Sequence, residues 1–353
     1  MRGLRKYLTP FAPDQSGAVS VLYELGGIVV VCDAGGCTGN ICGFDEPRWH
    51  NTRSAVFSAG LRDMDAILGR DDKLVAELAD AAHKIRANFA AVIGTPVPSV
   101  IGTDYHALRR MAERRCDLPV ITVDTTGMEL YDVGASKAYL ELFDRFATAT
   151  HDVRSGHVLY LGANPLDISC IPPQQMSLSF DDVVRASEAE KVVVVAPSGL
   201  AAAKLLHKRF GTPYEVSYPL LAEDDLFGSC DLHEYATGDA GRKPMQADGL
   251  RAGKRVLVVH QQVAANAIRD LLQDKGAAHV TCATWFMQVP ELAQEGDVHL
   301  REEDDFEELV YQGGYDVLVG DPTLWRIVPR FEGITVDVPQ FPVSGELAVP
   351  AGA

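Results

Sequence analysis

The chain has 353 residues, a net charge of −17 and 47% hydrophobic residues. So much apolar material supplies several packed cores and excludes a disordered chain. The acidic balance argues against nucleic acid as a partner, because phosphates are held by Lys and Arg, and no apolar run reaches the roughly 18–20 residues that span a bilayer.

The opening stretch, MRGLRKYLTPFAPDQ, is basic but has no apolar core. No secretory signal is expected, and the protein is expected in the cytoplasm. Residues 27–34, GIVVVCDA, read as a strand buried on both faces. Residues 71–88 place Leu74, Leu78, Ala81, Ala82 and Ile85 at helical spacing. A strand follows at 89–95. Residues 102–116 open with a cap signal at Thr103 and Asp104, then align Leu108, Met111 and Ala112. Residues 118–127 are a further strand. The pattern restarts at 156–164 after a polar stretch, which sets a boundary near 150. Ser179 and Asp182 form a capping-box signal for a short helix at 179–190. Residues 191–213 read as strand, turn and helix, with Ser198 as N-cap and Gly211 as the stop. Residues 219–252 show no sustained period. Strand, turn and helix resume at 253–276. Strands at 279–285 and 315–321 flank a helix at 302–313.

Strands alternating with helices predict an α/β protein of three Rossmann-like parallel-sheet units with helices on both faces. The expected division is 1–150, 151–222, a linker at 223–252, and 253–353. Ligands in such sheets sit beyond the carboxyl ends of the strands. The loops at Cys32–Cys42, Thr95, Ala196–Ser198 and His260–Gln261 all follow expected strands and are expected to face a cleft between the units.

Several chemistries lack their motif. There is no G-x-x-x-x-G-K-[ST] loop, so the chain is not expected to hydrolyse ATP itself. There is no G-x-G-x-x-G after a strand, no G-x-S-x-G elbow and no H-E-x-x-H. The signal that remains is CDAGGCTGNICG. Cys32, Cys37 and Cys42 follow the first strand with Gly35, Gly36, Gly39 and Gly43 among them. Seven cysteines, an odd number, argue against a disulfide framework. Thiolates ligate iron–sulfur clusters, and glycines let a backbone curl around one. A structural zinc site wants a second cysteine pair or histidines. The plainer reading is three ordinary thiols in a loop. Cys116, Cys170, Cys230 and Cys282 are expected as small buried apolar residues. Trp49, Trp285 and Trp325 are expected in cores or interfaces. No residue stands out as catalytic. His260, after a strand, and Asp104 are weak candidates for proton transfer, and a structural histidine and a helix cap are their commoner roles.

Four stretches resemble the nitrogenase component 1 superfamily. SGAVSVLYELGGIVVVCDAGGCTGNI (16–41) resembles its helix, strand and glycine–cysteine turn, with Gly36 and Cys37 on the family's Gly–Cys. SAGLRDMDAILGRDDKL (58–74) resembles its Ser/Thr-x-Leu-x-Glu-x-Asp-x-x-x-Gly-Gly-x-x-Lys-Leu stretch. GTPVPSVIGTDYHAL (94–108) and FPVS (341–344) resemble two later segments. The likeness spans most of the chain in shortened form. It departs at the ligands. The family's other cluster cysteines fall near Asp14–Ser16 and at Thr95, and its anchor for the large catalytic metallocluster falls near Ala196; none of these is a cysteine here.

The resemblance implies a nitrogenase-like iron–sulfur oxidoreductase. Its cofactor is expected to be a 4Fe–4S cluster on Cys32, Cys37 and Cys42. Electrons are expected from a separate ATP-hydrolysing iron protein and are passed to a substrate in the interdomain cleft. The chain is expected as a homodimer or beside a paired component 1-like subunit. The alternative is a scaffold or carrier that holds a metallocluster or tetrapyrrole without turnover. A third reading is a small-molecule binder that has lost its redox centre.

Overall fold

The computed structural model describes residues 5–50, 54–149, 154, 156–166, 176–218, 253–338 and 340. Three wholly parallel sheets organise them. The expected linker at 223–252, Cys170, Cys230 and the FPVS segment lie outside the described residues.

The first sheet contains β1 (Ile28–Val31), β2 (Ala55–Ser58), β3 (Ala90–Ile93) and β4 (Val120–Val123), in the order β2-β1-β3-β4. Its central strands, IVVV and AAVI, are apolar throughout because both faces are covered. On one face Ile28, Val30 and Cys32 pack with Leu74, Leu78 and Leu108 of α4 (Asp71–Lys84) and α6 (Tyr105–Cys116). On the other, Val29, Val31 and Ile93 pack with α1 (Asp14–Leu22) and α7 (Tyr131–Phe146).

α1 and α7 approach backbone to backbone. A Cβ on Gly17 would lie 1.8 Å from the Tyr131 carbonyl oxygen, and one on Gly134 would lie 1.8 Å from that of Asp14. Only glycine fits at either place.

The second sheet holds β5 (Val158–Leu161), β6 (Lys191–Val194) and β7 (Tyr214–Val216), in chain order. Leu159, Leu161, Val192 and Val194 share the core that α1 and α7 line. α8 (Phe180–Val184) opens with the expected Ser179–Asp182 capping box. α9 (Leu200–Phe210) ends at Gly211 with φ 67°. Ser198 differs from expectation. It sits in a short 3-10 turn ahead of α9, fully buried, and its hydroxyl makes no cap bond.

The third sheet contains β8 (Arg255–Val259), β9 (His279–Thr284), β10 (Val298–His299), β11 (Val317–Gly320) and β12 (Ile334–Asp337), in the order β10-β9-β8-β11-β12. The order reverses between β8 and β11, so the sheet is doubly wound with its switch point there. α10 (Gln262–Asp274) packs on one face through Ala265, Ile268 and Leu272, and α11 (Glu303–Gly313) on the other through Phe306 and Val310. Val263 and Ala264 of α10 also meet Val193 and Val195 of the second unit. Among the described residues no helix is long and apolar enough to cross a membrane.

Candidate functional site

β1 runs directly into the three-cysteine segment. Cys32 ends the strand, its N–H donating to the Ile93 carbonyl at 2.8 Å. The chain turns at Gly35, whose φ of 114° suits only glycine. It then forms α2 (Gly36–Asn40). Buried Asp33 fixes the start of this helix. Its Oδ2 accepts the Thr38 N–H at 2.8 Å, and its Oδ1 accepts the hydroxyls of Thr38 and Ser58 at 3.0 and 2.6 Å. A carboxylate there satisfies N–H groups that lack a helical partner. α2 passes into a π turn, Ile41–Asp45, closed by the Glu46 N–H on the Ile41 carbonyl at 2.9 Å. Such turns are rare and recur at functional sites. Two more buried carboxylates hold the far end. Asp45 accepts Ser16 Oγ at 2.6 Å and Asn40 Nδ2 at 2.8 Å, and Glu46 pairs with Arg48 at 2.7 Å.

This geometry separates the expected ligands. Cys32 is 3% exposed and belongs to the core under α4 and α6. Cys37 is half-buried and packs against the opposite core. Cys42, in the π turn, is half-buried as well. Burial, reinforced by nearby carboxylates, pushes the Cys32 thiol up to about 12 and Cys42 to about 11, and raises Cys37. All three are protonated at neutral pH, so a metal must displace their protons.

The other positions singled out in the sequence have structural partners. Asp14 is buried and accepts the N–H groups of Thr126 and Gly127 at 2.8 and 2.7 Å. Burial raises its carboxyl despite these bonds. Thr95 is buried and its Oγ1 donates to the Cys32 carbonyl at 2.8 Å. Asp104 is exposed and caps α6 by accepting the Ala107 N–H at 2.9 Å, a bond that holds its carboxyl below the usual range. Ala196 is buried just after β6. Cys116 and Cys282 are buried thiols in apolar cores.

The surface around the turn is apolar. α3 (Asp63–Leu68) follows β2 and α5 (Pro96–Ile101) follows β3, the two neighbours of β1. Because the strands are parallel, α2, α3 and α5 all leave the same edge of the sheet. Met64, Ile67, Leu68, Val100 and Ile101 stand exposed there, Ile67 at 74% and Val100 at 83%. Asp65 joins α3 to α4 by accepting Lys73 Nζ at 3.0 Å, the physical basis of the acidic–lysine stretch at 58–74. Exposed apolar side chains gathered on adjacent helices mark a contact surface.

His260 lies at the third sheet's switch point. It is 2% exposed, and its Nδ1 accepts the Gln261 N–H at 2.9 Å, which places the ring proton on Nε2. A small indentation open to solvent is lined there by His260, Trp285, Asp321 and Gln340 among others. Sequence reasoning did not single out Asp321. The signal was present: Asp-Pro-Thr directly after β11, at the end of the strand expected over 315–321.

The pattern characteristic of "Nitrogenase component 1 type Oxidoreductase" matches residues 15–221, more than half of the sequence. The chain belongs to the nitrogenase component 1 family. It is 26% identical over 174 residues to the nitrogenase iron-molybdenum cofactor biosynthesis protein NifE of Clostridium pasteurianum, a match covering 45% of this chain and 38% of that protein's length. Its fold is that of nitrogenase Cp1. The structure determined at pH 6.5 superposes with a TM-score of 0.70 at 13% identity, over 98% of this chain and 88% of the other. The structure at pH 5 gives 0.67 at 13% identity, over 100% and 88%.

Members of the nitrogenase component 1 family generally bind metal–sulfur clusters, work with an iron protein and form oligomers. Among the described residues of this chain no group of three or more His, Cys, Asp or Glu side chains is placed to hold a metal. Cys37 and Cys42 are two half-buried thiols on one turn, and a four-thiolate cluster needs two more. Gly36, Gly39 and Gly43 have open space where a Cβ would stand, so bare backbone borders the two thiols.

Proposed function

We propose that the chain is a nitrogenase-like iron–sulfur oxidoreductase subunit, assembled as a homodimer around one shared 4Fe–4S cluster. The observation that carries this reading is the pairing of two half-buried thiols with an exposed apolar surface at one sheet edge. A 4Fe–4S cluster takes four thiolates. Two copies related by a two-fold axis bring the same loop together twice. Cys37 and Cys42 of each chain then complete the set, and Cys32 stays in its core.

The chain's residues hold and shield such a site. Asp33, Asp45 and Glu46 lock the turn so that Cys37 and Cys42 need little reordering. Met64, Ile67 and Val100 of facing copies exclude water from it. The cluster, once bound, supplies one-electron transfer. The chain has no phosphate loop, so ATP hydrolysis belongs to a separate iron protein that delivers the electrons. The substrate is reduced in the cleft between the units. The expected divisions near residues 150, 222 and 252 are proposed as the limits of those units, and the cytoplasm as the compartment.

The likeness to a cofactor biosynthesis protein favours a second reading, a scaffold that carries a metallocluster or tetrapyrrole without turnover. One experiment separates the two. The anaerobically reconstituted protein is mixed with a nitrogenase-type iron protein and MgATP and followed by EPR. ATP-dependent reduction of the cluster supports the reductase. No reduction, with intact cluster passing to an acceptor protein, supports the scaffold.

A further inference from the structure

The third unit meets the other two in different ways. Against the second it packs through apolar side chains, Val263 and Ala264 of α10 with Val193 and Val195, and Gln261 Nε2 donates to the Val195 carbonyl at 2.8 Å. Against the first it is held by an arm, residues 5–12, that belongs to no helix or strand. One end of the arm is tied to the first unit. The Ala12 carbonyl accepts the Tyr131 N–H at 2.9 Å, and Pro13 bridges to Leu130. The other end reaches α11 of the third unit.

One carboxylate grips that end. Glu303 is 3% exposed and accepts the N–H groups of Lys6, Tyr7 and Leu8 at 2.7, 3.1 and 2.8 Å. The start of α11 does not need it, because Asp305 already accepts the Glu302 N–H there at 2.9 Å. Lys6 Nζ pairs with Asp304, and the Arg5 guanidinium lies 4.3 Å from the centre of the Phe11 ring. Leu8, Phe11 and Ala12 share a core with Trp285, Phe286 and Phe306, whereas Arg5, Lys6 and Tyr7 are exposed.

Beside the arm, the seam between the first and third units closes through α7. Asp132 accepts the Met287 N–H, and the Tyr131 ring meets Phe286 edge-on at 5.1 Å. Phe286 also lies 5.1 Å from Phe11. It touches arm and seam alike, so release of one loosens the other. A segment without helix or strand bonds, held by few tertiary contacts, opens below the cost of global unfolding.

We infer that residues 5–12 are a clasp that closes the third unit onto the first, with Glu303 as its catch, and that its release lets the third unit swing on its apolar joint with the second. The opened seam is the way into the cleft. Only the substrate's use of that way rests on the reductase reading; the clasp itself does not.

Native-state hydrogen exchange of the full iron-free chain, read by mass spectrometry at single amides, tests it. In the parent, the amides of Tyr7, Leu8 and Met287 should be protected at least about tenfold less than those of β8, and in urea up to about 1 M their exchange should hardly change. Glu303→Gln keeps one acceptor oxygen and loses the charge. It should speed exchange at Tyr7, Leu8 and Met287 together by about tenfold and leave β1 and β8 as in the parent. Arm amides that exchange only with β8 overturn the inference. So does an arm that exchanges fast while Met287 stays protected, and so does a Glu303→Gln chain with unchanged arm exchange. The urea series on the parent needs no variant, so it decides the matter even if Glu303→Gln fails to fold. Because the iron-free chain is used, failure here leaves the cluster proposal standing, and failure of cluster assembly leaves the clasp standing.

Discussion

Cys32 and Cys37 are five residues apart in sequence and pack against opposite faces of the same sheet. The period-two alternation of β1 carries Cys32 onto the face of Ile28 and Val30, and the turn at Gly35 carries Cys37 to the other side. A three-thiol site within one chain would need this strand end to unravel. Cys37 and Cys42 both lie beyond the turn at Gly35, on the segment formed by α2 and the π turn.

The first prediction follows directly. Cys37→Ser and Cys42→Ser should each lose most of the iron bound after anaerobic reconstitution. Cys32→Ser should keep its iron but lose about 1–3 kcal/mol of stability, because a hydroxyl then sits without a partner in an apolar core. Iron analysis and urea unfolding read the two effects. Cys116→Ala and Cys282→Ala should keep full iron content.

Thiol reactivity should follow burial. Burial pushes the Cys42 thiol up to about 11 and the Cys32 thiol up to about 12. Iodoacetamide labels thiolates, so labelling of the iron-free chain should be slow at neutral pH and should rise steadily up to pH 10. Cys37 and Cys42 should label ahead of Cys32, which should react only on unfolding. Peptide mapping by mass spectrometry checks the order. Iron loading releases protons and should likewise improve as pH rises.

Asp132 should make stability depend on pH. It is buried in α7, where its carboxylate accepts the N–H groups of Val133 and of Met287, which lies beyond β9. Desolvation pushes it from an ordinary 3.8 up to about 6 even so. The folded chain therefore holds this proton more tightly than the unfolded one. The stabilisation is fully present below pH 3.8 and is lost as pH rises through about 6, a change of about 3 kcal/mol for this group. Asp132→Asn stays neutral but keeps only one of the two acceptor oxygens, its amide NH2 facing the other N–H. The variant's stability relative to the parent should therefore rise by about 2 kcal/mol from pH 4 to pH 7.5, whatever the fixed cost of the lost acceptor. Chemical denaturation at the two pH values measures it.

The exposed face of α3 and α5 should hold the dimer together. Ile67→Glu and Val100→Glu each place a charge in the exposed surface that is proposed to meet a second copy. Each should convert the protein to folded monomers with unchanged circular dichroism. Iron content should fall with the dimer. Sedimentation velocity and iron analysis on the same samples test the coupling.

Much of the fold was legible because several strands are apolar, largely β-branched runs. IVVV, VITV and RVLVV admit little besides a buried parallel strand, and the helices between them keep a clear apolar face. β2 was not legible. It is an edge strand, half to fully exposed, and AVFS carries no alternation. The helical form of residues 36–45 was hidden for another reason. Glycine is a poor helix former, and what holds this segment is a set of distant partners: Ser58 on Asp33, Ser16 on Asp45, and Arg48, which bridges Glu46 to the Ser20 carbonyl. The burial of Cys32 was legible, since it continues the alternation of Ile28 and Val30. Ser198 looked like a cap, but the helix begins two residues later through a 3-10 turn that needs no side chain.

The central claim is one cluster shared by two chains through Cys37 and Cys42. Native mass spectrometry of the anaerobically reconstituted protein, with iron and sulfide counted on the same sample, tests it most directly. The expected result is a dimer of this chain carrying about four irons, or about two per chain. In Cys37→Ser the iron and the dimer should be lost together. A monomer that retains about four irons would contradict it.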